Sequence, residues 1–278
     1  MRTFLTRLLH ATTLLLALAT ALALELTVLD VGQGTSVLIQ APSGHTALID
    51  AGTNTSNTAA ELRAMGVHQL GIIIATHNDA DHIGGMPDVL TAFPPTYYVD
   101  NGVPHTTVTY ERTLRAAQQA GAQLLEPERR NIALGDVTLT ILPPTGDPNL
   151  GQNNNSVGVL ITYGNFRAFL PGDAEKEQWE WWLTHHYDLL PTVNVHVASH
   201  HGSRNGDTPA SINRLQPDLV IISAGADNTY GHPHQEALNL YPNATVLRTD
   251  QSGHITIKAN PAGEYRASTQ TGATANTP

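Results

Sequence analysis

The sequence predicts an α/β fold in four layers, a helix–sheet–sheet–helix (αββα) sandwich built as one domain. Three observations lead there. Strand-like runs fall into two groups, and each group ends in mixed strands and helices. The apolar runs 70–75 and 219–223 lack alternation, which marks strands covered on both faces, and 193–198 reads as a third buried strand. No internal repeat and no Pro-, Gly- or Ser-rich linker divides the chain.

The elements follow in order. Residues 26–31, 35–40 and 45–51 read as strands, broken by the turn signals Gly32-Gln33-Gly34 and Pro42-Ser43-Gly44. Residues 58–65 read as a helix stopped by Gly66, and 70–75 as a buried strand. A helix is predicted over 107–120. Strands follow over 137–142, 156–163 and 166–170, with Asn165 in the hairpin turn after Gly164. Residues 174–186 form a helix carrying Trp179, Trp181 and Trp182, and 193–198, 219–223, 244–248 and 254–258 complete the strands. Beyond about residue 260 the chain is small and polar without an apolar period, so 261–278 is expected to be a disordered tail.

Residues 1–23 read as a secretory signal peptide. Arg2 and Arg7 precede an uncharged run rich in Leu, Ala and Thr, and Ala21-Leu22-Ala23 is a small-x-small cleavage site. The mature domain is expected over 24–260 and the protein outside the cytoplasm, extracellular or periplasmic, with no stable membrane span after cleavage. The chain has no cysteine, which excludes disulfides, a thiol nucleophile and thiolate metal sites. Its net charge of -10 argues against tight, charge-driven binding of nucleic acid, although ligand carboxylates count here as negative and are neutralised by metal.

Chemistry concentrates at strand ends. His77, Asp79, Asp81 and His82 lie within His77-Asn78-Asp79-Ala80-Asp81-His82, directly after a buried strand. Imidazole nitrogen and carboxylate oxygen suit zinc and manganese. Alternation places His77, Asp79 and Asp81 on one side of an extended loop, with His82 turned to a second position, so one segment feeds two metals. The alternative is a solvated turn that starts a helix. Asp173 closes the strand over 166–171; a carboxylate there bridges two cations or caps the next helix. His200 and His201 end another buried strand, and only one of two adjacent imidazoles is expected to ligate directly. In Tyr230-Gly231-His232-Pro233-His234, His232 is placed to meet a phosphate or oxyanion, whereas His234 reads equally as the first turn of a helix. Gly32-Gln33-Gly34 lacks the Lys and Ser/Thr of a phosphate loop and reads as a tight connection. Asp30 and Asp50 are expected to be hydrogen-bonding acids, not ligands.

Taken together, these segments resemble the metallo-β-lactamase superfamily, and within it the hydrolase domain of ComEC-type DNA-internalisation competence proteins. The matching pieces are Leu29-Asp30-Val31-Gly32-Gln33-Gly34, Leu48-Ile49-Asp50-Ala51-Gly52, Thr76 through Gly85, Asn154-Asn155-Ser156-Val157, Leu170-Pro171-Gly172-Asp173, His200-His201-Gly202-Ser203, Tyr230 through His234 and Arg248-Thr249-Asp250. They occur in the family's order. The superfamily's second motif His is Asp79 here, and its third-motif His is missing from Asn153-Asn154-Asn155-Ser156; Asn155 or Ser156 would have to fill in.

The resemblance implies two divalent metals, zinc or manganese, bridged by Asp173, one held by Asp81, His82 and His200 or His201 and a weaker one by His77 and Asp79. It also implies a metal-activated water that attacks a phosphodiester, with Asp81, His232 and Ser203 or Arg204 assisting. DNA is the expected substrate, so the leading expectation is a secreted phosphodiesterase or DNase. Its rivals are another phosphoester hydrolase, acting on phosphocholine or a nucleotide, and a non-catalytic DNA- or surface-binding module.

Overall fold

The computed structural model describes residues 23–277. The expected signal peptide lies outside the described residues except for Ala23. Among the described residues, no helix is long and apolar enough to cross a membrane.

The chain opens with β1 (Leu24–Val28), β2 (Val37–Gln40), β3 (Thr46–Ile49), β4 (Ile72–Ile74), β5 (Tyr97–Val99) and β6 (Gln123–Leu125). It continues with β7 (Arg130–Leu134), β8 (Val137–Leu142), β9 (Gly158–Tyr163), β10 (Phe166–Leu170), β11 (Val195–Val197), β12 (Leu219–Ile222) and β13 (Thr245–Arg248), and ends with β14 (Ile255–Ala259), β15 (Tyr265–Thr269) and β16 (Thr274–Asn276). These form a nine-stranded sheet in the order β16-β15-β14-β1-β2-β3-β4-β5-β6 and a seven-stranded sheet in the order β13-β12-β11-β10-β9-β8-β7.

The inner faces of both sheets bury one another. Leu26, Val28, Ile39, Ile49 and Ile74 meet Leu139, Ile141, Val159, Ile161, Val195 and Ile221 in a single apolar cluster. The outer face of the first sheet is covered by the helices Thr58–Ala64, Met86–Ala92 and Val108–Gln119 through Leu62, Val89, Leu90 and Ala117. The helix Lys176–His185 covers the second sheet with Trp179 and Trp182, both fully buried against Phe169. The predicted four-layer sandwich is therefore the observed one. At about 25 cal/mol per Å² of apolar surface, these interfaces dominate the stabilisation.

One expectation needs correction. The segment 261–278 is not a disordered tail: β15 pairs antiparallel with β14, and β16 with β15, so the domain runs to at least residue 277. Asn260 makes the turn by accepting the backbone N–H groups of Ala262 and Glu264. The inward alternation that stabilises this hairpin is only Tyr265 and Ala267, too short a pattern to stand out from its polar neighbours. The first sheet also joins the two ends of the chain, since β14 pairs antiparallel with β1.

The topology positions the site. Strands β3, β4, β5 and β6 run parallel, as do β10, β11, β12 and β13. Their carboxyl ends deliver Asp50, Thr76–His77, the 100–105 loop, Asp173, Ser199–His201 and Ser223 to a common edge, where such sheets place their ligands. The backbone bond from Val157 N–H to Thr76 O, at 2.8 Å, ties the two sheets together there.

Candidate metal centre

The cluster after β4 is not an extended loop. His77 and Asn78 leave the strand, Asp79 adopts an extended backbone, and Ala80–Ile83 forms one helical turn. That turn takes Asp81 off the side of His77 and Asp79 and sets it with His82, whose ring stays 4.1 Å from that of His77, in line with the two adjoining sets expected. A close approach enforces it. The Thr35 N–H donates to Asp81 O at 3.1 Å, and a Cβ on Gly34 would lie 2.3 Å from that oxygen. The Gly32-Gln33-Gly34 turn is thus a seat for the ligand helix.

Asp81, His82, Asp173 and His201 present ligand atoms that all lie within 4.8 Å of one another. Asp173 sits between two donor sets. Its Oδ1 is 3.1 Å from His82 Nε2, while its Oδ2 is 3.4 Å from His201 Nε2 and 3.9 Å from His77 Nε2. His77 Nε2 also lies 3.5 Å from Asp79 Oδ2. Asp173 is not the cap of the following helix, whose N-cap is Glu175. Ser156 Oγ accepts the Asp173 N–H at 3.1 Å and so steadies the carboxylate's backbone.

Each of three imidazoles has its Nδ1 occupied, which leaves Nε2 to face the cluster. His82 Nδ1 lies 2.7 Å from Asp50 Oδ2 and donates to that carboxylate. His201 Nδ1 donates to Ser223 O at 2.9 Å. Thr76 Oγ1 gives its proton to Asp50 Oδ2, so toward His77 Nδ1, 3.2 Å away, it is an acceptor. A histidine anchored this way carries its lone pair on the other nitrogen, the arrangement that metal-ligating histidines use. His77 Nε2 is buried with no hydrogen-bond partner among the described residues. A buried orphan lone pair costs free energy unless a cation occupies it. The donor set therefore fits divalent metal at two adjoining positions. Asp81, His82, His201 and Asp173 would hold one, and His77, Asp79 and Asp173 the other.

The electrostatics agree. Burial alone would depress His201, but Asp173 and Asp81 outweigh it and raise the imidazole to about 9. Burial likewise opposes His82, yet Asp173 and Asp50 hold it well above its usual range. Burial would raise Asp173, and His201 and His82 instead hold it well below the carboxylate range. Protons on the imidazoles take the place of the missing positive charge, so metal binding must release them. Conversely, burial and then the charges of His201, His200 and His234 lower His232 to about 4, which makes it a neutral imidazole. Gly225 N–H donates to Gln33 Oε1, so Gln33 Nε2 is the donor toward His232 Nδ1 at 3.3 Å. That assigns the His232 proton to Nε2.

Other expected residues fall around this centre. His200 has its Nε2 3.8 Å from Asp173 Oδ2 and its Nδ1 3.0 Å from Glu175 Oε1, outside the tight cluster. It and His201 both adopt left-handed backbone, φ 49° and 55°, a strained pair of the kind that collects at functional sites. Ser203 is buried, and its Oγ accepts the Asn205 N–H, so it closes the turn beneath these histidines. His234 accepts the Arg204 N–H and precedes the short helix Gln235–Leu238. Asn155 does not fill in for the missing histidine. Its Oδ1 accepts from Thr145 Oγ1 and Gly146 N–H, and its Nδ2 donates to Asp147 O and Gly151 O, so every polar valence serves the loop.

His105 was not anticipated from the sequence. Its Nε2 lies 3.4 Å from Asp79 Oδ1, while its Nδ1 accepts the Thr107 N–H at 3.2 Å. The loop carrying it is clamped to the ligand loop. Asn78 Nδ2 donates to Asn101 Oδ1 and Val103 O, and Gln152 Oε1 accepts from Asn101 Nδ2 and Asn78 N–H. Asp79 thus divides its oxygens, Oδ2 toward His77 and Oδ1 toward His105.

With this geometry in place, the relatives can be set beside it. The family model described as the metallo-beta-lactamase superfamily matches residues 29–225. The chain belongs to that superfamily. It is 31% identical over 258 residues to ComE operon protein 3 of Bacillus subtilis, covering 83% of this chain and 32% of that protein. It is 28% identical to Recombination protein 2 of Haemophilus influenzae and to Competence protein ComA of Neisseria gonorrhoeae, in each case over 82% of this chain and 28% or 31% of the relative. The chain thus spans about a third of these relatives' length, and the competence-type resemblance stands for that part. Among solved structures, the metallo-beta-lactamase fold protein YhfI of Bacillus subtilis shares the fold at a TM-score of 0.56 and 11% identity, covering 85% of this chain and all of that one. A diphosphatase of the PhnP family shares it at 0.51 and 17%, covering 81% and 94%.

Proposed function

We propose that this member of the superfamily is a secreted metal-dependent phosphodiesterase acting on DNA. The observation that carries the reading is Asp173, a buried carboxylate within 3.1 Å of His82 Nε2, 3.4 Å of His201 Nε2 and 3.9 Å of His77 Nε2, so that one residue adjoins both groups of candidate ligands. Divalent cations bound there would supply Lewis acidity, activating water and neutralising charge on a phosphate.

The residues do the rest. Asp50, Ser223 O and Thr76 hold three imidazoles in the ligating tautomer, so no reorganisation is needed when metal and substrate arrive. Burial would raise Asp81, but His201 and His82 hold it well below the carboxylate range, so it stays ionised beside His201 Nε2, 3.3 Å away. His232 is neutral at physiological pH, so it donates its Nε2–H to a phosphate oxygen and does not act as general acid. The relatives' names, which refer to competence and recombination, favour DNA over phosphocholine or free nucleotides as substrate. The third-motif replacement leaves an oxygen-richer position at His77 and Asp79, which favours manganese there.

The test is a panel of linear DNA, RNA, bis-p-nitrophenyl phosphate, p-nitrophenyl phosphocholine and nitrocefin with Mn²⁺, Zn²⁺ or Mg²⁺. DNA cleavage that is lost in chelator and in Asp81→Ala is expected. Failure to cut any phosphodiester with every metal sinks the nuclease reading, and DNA binding that survives both treatments establishes a binding module instead. Fractionation followed by N-terminal sequencing checks secretion: a processed chain outside the cytoplasm is expected, and a chain starting at Met1 that stays with the cytoplasmic fraction overturns it.

A further inference from the structure

The His232 loop also presents an aromatic ring that the hydrolytic reading does not use. Tyr230 is 65% exposed, unusual for a large side chain beside a buried polar centre. One face of its ring is covered by His232, with centroids 5.6 Å apart and planes inclined by 20°. His232 in turn lies 6.2 Å from His201, inclined by 27°. Three near-parallel rings therefore step outward from the ligand His201, and the outermost is Tyr230.

The loop is held to present it. Asn228 Nδ2 donates to both Gly225 O and His232 O at 2.7 Å, and Asn228 Oδ1 accepts the His232 N–H. A rigid aromatic with a free face is a stacking platform, and every nucleobase offers it a π-surface. The charges near the site point the same way. Lys176, Arg204 and Arg248, which flank its loops, each face a carboxylate: Glu180 at 3.7 Å, Glu236 at 3.1 Å and Asp250 through two hydrogen bonds. Each of these three cations thus has a carboxylate beside it, so together they do not form an all-cationic track of the kind that grips a duplex.

We propose that Tyr230 is the platform for one nucleobase of the substrate, so that the site takes an unpaired strand or frayed end in preference to intact duplex. A paired base has both faces stacked within its helix, and only a splayed base can use the ring. This assignment rests on the phosphodiesterase reading above.

The experiment compares wild-type, Tyr230→Ala and Tyr230→Phe, each metal-loaded with its metal content measured. Substrates are a single-stranded oligonucleotide, the same strand with abasic residues, and the duplex. Tyr230→Ala should raise KM for the base-bearing strand about tenfold, leave kcat, metal content and the abasic strand unchanged, and Tyr230→Phe should behave as wild-type. The single strand should be cut faster than the duplex. An equal loss on the abasic strand, no loss on the base-bearing strand, or faster cutting of duplex overturns the platform while the nuclease reading survives. A wild-type protein that cuts no phosphodiester removes both.

Discussion

Asp50 shows how much chemistry one side chain carries without touching a metal. It is fully buried with φ 57°, and its carboxylate accepts from Thr76 N–H, Thr76 Oγ1 and His82 Nδ1. Asp50→Asn keeps the volume but lets the amide present a donor to His82. Metal affinity should fall by about 10–100-fold, read by titration with Zn²⁺ or Mn²⁺; unchanged affinity would refute the anchoring role. His105→Ala should release Asp79 Oδ1 and lower occupancy at the His77/Asp79 position alone. Elemental analysis should then show loss of one metal equivalent while the other is kept, and loss of both would mean a general collapse. The candidate ligands His77, Asp79, Asp81 and His82 are legible because they are neighbours in sequence. His105 is not, because a solitary histidine in a loop shows its meaning only when parallel strands β4 and β5 set its loop beside Asp79.

At the scale of elements, a backbone approach decides the site. Gly34 has φ 143° and passes against Asp81 O, so Gly34→Ala must push the helix Ala80–Ile83 outward. Metal affinity should drop with little loss of secondary structure, measured by titration and circular dichroism; wild-type affinity would show that the seat is dispensable. The C-terminal hairpin is the counterpart for stability. Truncation after residue 260 removes buried Tyr265 and Ala267 and bares the β14 edge. The truncated protein should melt earlier and aggregate, since an open edge invites pairing between chains; an unchanged melting temperature by calorimetry would return the segment to the status of a tail.

For the molecule as a whole, the centre links metal, protons and stability. With metal stripped by chelator, His201 titrates near 9, raised from 6.5 by Asp173 and Asp81 against its burial. A raised folded-state value means the contribution is fully present below pH 6.5 and is lost as pH rises through about 9. His82 shifts in the same direction. The metal-free protein should therefore melt at progressively lower temperature from pH 6.5 toward 9, whereas the metal-loaded protein, whose imidazoles have already lost those protons, should not. A flat metal-free profile would refute the coupling.

The sequence by itself determined the four layers, the strand ends that carry the candidate ligands, and the superfamily. These depend on periodicity and on short contiguous motifs, which local reading resolves. Only the tertiary structure decided which oxygen of Asp173 faces which imidazole, that Asn155 is consumed by its own loop, that His105 stands behind Asp79, and that the last strands close onto β14. Each of these depends on atoms brought together from distant strands. Distance along the chain conceals such pairings, and the packing of two sheets face to face creates them.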